Sequence, residues 1–153
     1  MYCQNYYITS GKGESIYELV AFDNALINAG ISNYNLVRVS SILPIGCSQK
    51  NKIDLKEGSM LLTAYGTISS SVPGERIASA VAIGIPADKS KIGVIMEYSG
   101  KNNAAGADEI VREMVKESMS RHGLDILEIK SSSIDCVVPD EGFVSVISAV
   151  SIF

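Results

Sequence analysis

The chain of 153 residues has no tryptophan, one histidine, three cysteines and four prolines. Its histidine, His122, stands beside Gly123 at the end of a helical pattern, where an imidazolium suits the helix dipole, and no catalytic role is assigned to it. Without a histidine base and without a GxSxG elbow, serine-nucleophile schemes of the usual kind lack their parts. Cys3, Cys47 and Cys136 are far apart and show no CxxC spacing, so neither a disulfide framework nor a metal site is expected. Gly11 and Gly13 precede a helix but belong to no GxxxxGK[ST] or full GxGxxG pattern, so they carry no nucleotide signature. A surplus of positive charge is also missing. Thirteen basic against seventeen acidic residues give a net charge of −4, which argues against nucleic acid and anionic membrane surfaces as partners. No segment is long and apolar enough to span a bilayer, and the first residues lack the basic flank and apolar run of a leader. A cytoplasmic protein without a membrane partner is expected.

What is present is an ordinary globular composition: 46% hydrophobic and 20% charged residues, with a mean hydropathy of +0.20 that leans towards extensive burial or contacts between copies. One domain over 1–153 is expected, with no repeat or linker. The periodicity predicts a short strand over Tyr6 to Thr9 closed by a turn at Ser10-Gly11-Lys12-Gly13, then a helix over Ser15 to Ala29 whose apolar stripe is Ile16, Leu19, Val20, Leu26 and Ile27. Strands follow at Asn35 to Ser40, Met60 to Ser69, Arg76 to Ile85 and Ile92 to Tyr98, with a polar loop from Gly46 to Gly58; the short turns at Val72-Pro73-Gly74 and Pro86-Ala87-Asp88-Lys89 favour antiparallel neighbours. A second helix over Ala104 to His122 carries Met114 and Met119, read as core, and strands at Ile126 to Val138 and Phe143 to Phe153 finish the chain. Few helices and many strands imply a layered α/β sandwich, with each helix covering one sheet face. The last strand is small or apolar on both faces and belongs at the centre of a sheet or at a subunit interface.

Three places in this pattern hold chemistry. The first is Ser40-Ser41, where a strand should run into a turn. The Ser41 hydroxyl could attack the Ser40 carbonyl carbon, exchanging amide for ester through an oxyanion that the Asn35 side-chain N–H could stabilise. Elimination at Ser41 would then cut the chain and leave a pyruvoyl group, a ketone made from the serine itself. The plain alternative is a polar strand end whose hydroxyls bond to the backbone. The second place is Asp23, a carboxylate interrupting the apolar stripe of the first helix: a contact for a cationic ligand, or a side chain tilted out to solvent. The third is Glu97 at the end of an apolar strand: a general acid if its surroundings are dry, a solvated strand-end charge if they are not.

The stretches Phe22-Asp23-Asn24-Ala25-Leu26-Ile27-Asn28-Ala29-Gly30-Ile31, Asn35-Leu36-Val37-Arg38-Val39-Ser40-Ser41-Ile42-Leu43-Pro44, Ala64-Tyr65-Gly66, Val72-Pro73-Gly74-Glu75 and Ile95-Met96-Glu97-Tyr98 resemble, in order and spacing, the pyruvoyl-dependent arginine decarboxylases. The resemblance runs from about residue 15 to 122 and more loosely to the end; Ile45-Gly46-Cys47 and the loop after it depart from the pattern. It implies self-cleavage into a β chain ending at Ser40 and an α chain starting at Ser41, with Ser41 as the covalent pyruvoyl cofactor, no metal and no pyridoxal phosphate. It further implies that Asn35 assists the cleavage, that Glu97 donates the proton in decarboxylation, and that Asp23 holds the substrate guanidinium. The implied fold is a four-layer αββα sandwich with mostly antiparallel sheets, assembled as a trimer with active sites between subunits. The implied reaction takes L-arginine to agmatine and carbon dioxide. Rival readings are decarboxylation of another amino acid such as histidine, and an uncleaved homologue serving as a binding or structural module.

Overall fold

The structure is a computed structural model that describes residues 1–153. In chain order it contains β1 (Asn5–Ser15), α1 (Glu18–Ala29), β2 (Asn35–Arg38), β3 (Ile42–Leu43), β4 (Ser48–Gln49), β5 (Met60–Ser70), β6 (Arg76–Pro86), β7 (Gly93–Lys101), α2 (Ala104–Arg121), β8 (Ile126–Val137) and β9 (Phe143–Ile152). The strands form a five-stranded sheet, β2-β5-β9-β1-β4, and a four-stranded sheet, β3-β7-β6-β8. The first is mixed, because β1 with β4 and β2 with β5 run parallel; the second is antiparallel throughout.

The layers follow from which strands are apolar on both faces. In β6 every residue from Ile77 to Gly84 is buried, and β9 is buried from Val144 to Ile152. Such strands need a cover on each side. The two sheets pack face to face over Tyr6, Leu43, Ala64, Val81, Ile83, Ile95, Val150 and Ile152. Helix α2 covers the outer face of the antiparallel sheet through Ala107, Val111, Val115 and Met119. Helix α1 covers the mixed sheet through Ala25, Leu26 and Ala29. The order is therefore αββα, the expected layered sandwich, with β9 central in its sheet.

Three expectations need correction. Gly11 and Gly13 do not form a turn: β1 runs straight through them to Ser15. A Cβ on Gly11 would lie 2.3 Å from the Ala25 carbonyl oxygen, and one on Gly13 2.4 Å from the Ala25 nitrogen, so both glycines let α1 lie backbone against backbone on β1. Asn28 and Asn24 donate side-chain N–H bonds to the Lys12 and Glu14 carbonyls at 2.6 and 2.9 Å, which satisfies part of a strand edge that short β4 leaves uncovered. The helix consequently starts at Glu18, not Ser15. Its buried face is Ala21, Ala25, Leu26 and Ala29, and of the expected stripe only Leu26 is inside. Ile16 and Leu19 are 72% and 77% exposed, and Val20 and Ile27 are exposed as well.

The second correction concerns the turns. Residues 87–92 join antiparallel neighbours β6 and β7, as expected. The turn at Val72-Pro73-Gly74 instead carries the chain from one sheet to the other, where Gly74 N–H donates to Val138 O and Val138 N–H to Glu75 O. β6 is buried from Ile77 to Gly84, and its place between β7 and β8, with α2 on one face and the mixed sheet on the other, supplies both covers. The third concerns the polar loop after Gly46: within it Ser48–Gln49 adds a short parallel strand beside Asn5 and Tyr6.

Candidate active site

The Ser40-Ser41 junction is the place where the chain crosses between sheets. β2 is the edge strand of the mixed sheet, paired in parallel from Asn35 with Met60 to Arg38 with Thr63, and Val39 N–H extends the ladder to Thr63 O. β3 is the edge of the other sheet, where Ile42 pairs with Val94 and Ser41 O accepts from Ile95 N–H at 2.8 Å. Between these anchors the peptide unit made of Ser40 C=O and Ser41 N–H takes part in no hydrogen bond, and neither serine hydroxyl is bonded. Cutting this bond therefore costs the fold no hydrogen bond, while the Ser41 carbonyl stays fixed to β7. Ser40 is exposed and Ser41 half-buried. The residues present fit a ketone derived from Ser41, since a group formed there keeps that anchored carbonyl.

Glu97 lies on the same β7, two residues beyond Ile95 and opposite Val81 of β6. Ile95 and Val81 both face the core between the sheets, and strand alternation turns Glu97 to that side. Burial pushes its carboxyl above the usual carboxylate range, and the Arg38 charge pulls it partly back. The narrowness of the sandwich contributes: a Cβ on Gly66 of β5 would meet the Tyr98 carbonyl oxygen at 3.0 Å, and Ser79 Oγ–H donates to Gly66 O at 2.7 Å. Arg38 is held with its guanidinium 4.3 Å from the Tyr65 ring centroid and donates to Tyr65 O. Neither Arg38 nor Gly66 was assigned a role from sequence. The available signals were a lone cation two residues before the junction and a glycine inside an apolar strand.

One chain does not bring all the expected residues together. Asn35 opens β2, five residues before Ser40, which at ~3.3 Å per residue is on the order of 16 Å. Its side-chain N–H donates to Gly58 O at 2.9 Å and pins the preceding loop. Asp23 is exposed on α1, a helix that packs mainly on β1 and β9. Around Asp23 are the exposed side chains of Leu19, Val20 and Ile27, so it does interrupt an apolar face, but an outward one. A cavity of about 260 Å³ behind β3 is lined by residues such as Leu43, Pro44 and Cys47 and reaches neither Ser41 nor Glu97. No group of histidine, cysteine and carboxylate side chains is arranged to hold a metal ion.

Residues 5–153 match the family described as pyruvoyl-dependent arginine decarboxylase. Proteins of that name from Methanocaldococcus jannaschii and Methanococcus aeolicus are 42% and 39% identical over 135 residues, covering 88% of this chain and 82% of each relative. One from Thermococcus kodakarensis is 38% identical over 136 residues, covering 88% of this chain and 86% of its own. The serine pair, whose shared peptide unit makes no hydrogen bond, and the half-buried Glu97 stand inside the matched region, and the chain belongs to the pyruvoyl-dependent arginine decarboxylase family.

Proposed function

We propose that this chain cuts itself between Ser40 and Ser41 and then decarboxylates L-arginine to agmatine and carbon dioxide in the cytoplasm. The observation that carries the proposal is a peptide bond free of hydrogen bonds, strung between two sheet edges beside a half-buried carboxyl. In the cut, Ser41 Oγ attacks the Ser40 carbonyl carbon and the Ser41 nitrogen leaves, giving an ester. Loss of the Ser41 Hα then expels the Ser40 carboxylate, and water releases the Ser41 nitrogen as ammonia, leaving a ketone. Residues 1–40 and 41–153 remain one folded domain.

The pyruvoyl group supplies an electrophilic carbonyl and an electron sink for the pair left when carbon dioxide departs. The chain's own residues supply the rest. Ile95 N–H holds the Ser41 carbonyl in place. Glu97, whose charged form burial disfavours, delivers a proton to the substrate carbon that lost its carboxylate. Asp23 receives the guanidinium, where a planar cation can make two parallel charged bonds and an ammonium only a point contact.

Asp23 and Asn35 serve the junction of another copy. Two observations support this: Asn35 does not span the length of β2 to its own Ser40, and Asp23 sits in an apolar face that has no cover within the chain. The face of α1 and the β2–β3 edge are different surfaces, so their contact is heterologous and closes as a ring, for which we take three copies.

The test is agmatine release from arginine and from citrulline, its uncharged isostere. Asp23→Asn should weaken arginine use, with a charged hydrogen bond contributing roughly 1.5–3 kcal/mol, and should reduce the preference over citrulline. Co-expressing Asp23→Asn with Glu97→Gln should restore activity at sites that draw Glu97 from one copy and Asp23 from the next. Unchanged arginine kinetics in Asp23→Asn would remove it from the substrate site, and no recovery on co-expression would return both residues to one chain.

A further inference from the structure

Cys3 and Cys47 meet across the two pieces that the cut would create. Parallel pairing of Asn5 with Ser48 sets Cys47 beside Gln4, one residue from Cys3. With strands ~4.8 Å apart and ~3.3 Å per residue, that diagonal separates the two Cα atoms by roughly 6 Å, inside the span of a disulfide. Gln4 and Asn5 N–H both donate to Phe153 O, at 3.1 and 2.9 Å, which marks a bulge that turns Cys3 inward. Both cysteines then pack on the core between the sheets. The Cys47 thiol already points at Cys3, donating to its carbonyl at 3.2 Å. Cys3 is buried, whereas Cys47 is half-exposed and lines the 260 Å³ cavity with Leu43, Pro44, Lys89 and Lys91. A small reagent therefore has a route to Cys47, past two cations that favour an anionic one.

We propose that Cys3 and Cys47 form a disulfide on exposure to an anionic low-molecular-weight disulfide such as oxidised glutathione. The Cys47 thiolate attacks one sulfur of the reagent and releases one thiol; the Cys3 thiolate then attacks Cys47 Sγ and releases the second. Two protein thiols are oxidised, one reagent disulfide is reduced to two thiols, and the two thiol protons end on those products. Resting on the cut at Ser40-Ser41, the bond also ties residues 1–40 to 41–153 and clamps the segment carrying Ser41 onto β1. Burial and the neighbouring Cys3 raise the Cys47 thiol, which lowers its thiolate fraction, so the reaction quickens as pH rises.

The test uses the folded Cys136→Ser protein, which leaves only the two thiols in question, with and without Ser41→Ala. Each is treated with oxidised glutathione, alkylated, and weighed without reductant. The Ser41→Ala form should be two hydrogens lighter and take up no alkyl group. The form with Ser41 should appear as 1–40 joined to 41–153, separable by dithiothreitol. Alkylation of both cysteines, or a stable glutathione adduct on each, would overturn the disulfide. A single uncut chain in the second form, with the disulfide present in the first, would overturn the cut and leave the bond standing.

Discussion

At the residue scale the proposed chemistry requires Glu97 to hold a proton. Glu97→Gln keeps shape and volume but has no proton to give, so a correctly cleaved variant should turn over ~10²–10⁴-fold more slowly, measured as carbon dioxide release. Glu97 is needed in its acid form and its carboxyl is raised, so activity should be full below that raised value and fall as pH rises through it. Arg38 opposes the rise. Arg38→Met should move the alkaline limb of the rate profile to higher pH, and an unmoved limb would detach Arg38 from the site. The same shift acts on stability, since a raised carboxyl favours the fold below the unfolded-state value and loses that benefit as pH climbs through the folded one. Glu97→Gln should therefore melt above wild type in alkaline buffer, with the gap closing towards acid. Glu97 was visible in the sequence as an isolated acid at an apolar strand end. Its partial burial was not, because β5 closes on β7 at Gly66 through a contact between residues 32 positions apart in sequence.

At the element scale α1 and β1 show where pattern reading succeeds and fails. Both elements were legible. The buried face of the helix was not, because Ile16, Leu19, Val20 and Ile27 outweigh alanine in any apolar count, yet Ala21, Ala25 and Ala29 are the residues that pack. Glycine serves turns and close approaches alike, so Gly11-Lys12-Gly13 read as a turn although the facing alanines every fourth residue marked a tight contact. Gly13→Ala places a Cβ against helix backbone, which cannot swing aside as a side chain can. It should lower stability in urea by at least the ~1–3 kcal/mol typical of overpacking. A stability equal to wild type would mean that α1 rides higher on the sheet.

At the scale of the whole molecule the position of the cut decides what holds the pieces together. Residues 1–40 contain β1, which lies between β9 and β4 and is aligned with β9 over ten residue pairs from Tyr6 with Ile152 to Ser15 with Phe143. Cleavage should therefore leave native size unchanged, with separation only in denaturant. In the proposed ring the outward apolar face of α1 is covered by another copy. Leu19→Glu, 77% exposed in the single chain, should be harmless to a monomer but should dissociate the assembly and slow both cutting and turnover. The layered sandwich and central β9 were legible because burial on two faces leaves an alternation-free strand. The separation of Asn35 from its own Ser40 was not, since sequence spacing places the two close and only the extended β2 carries Asn35 away.

The central claim is that Ser41 becomes the reactive carbonyl. It is tested most directly by the intact mass of reduced, denatured protein purified after expression. The account predicts two species corresponding to residues 1–40 and 41–153, the larger lighter than its sequence by the change from an amino-terminal serine to a pyruvoyl group, and a Ser41→Ala form that stays whole. A single wild-type chain at the full 16.3 kDa, or efficient cutting in Ser41→Ala, would contradict it.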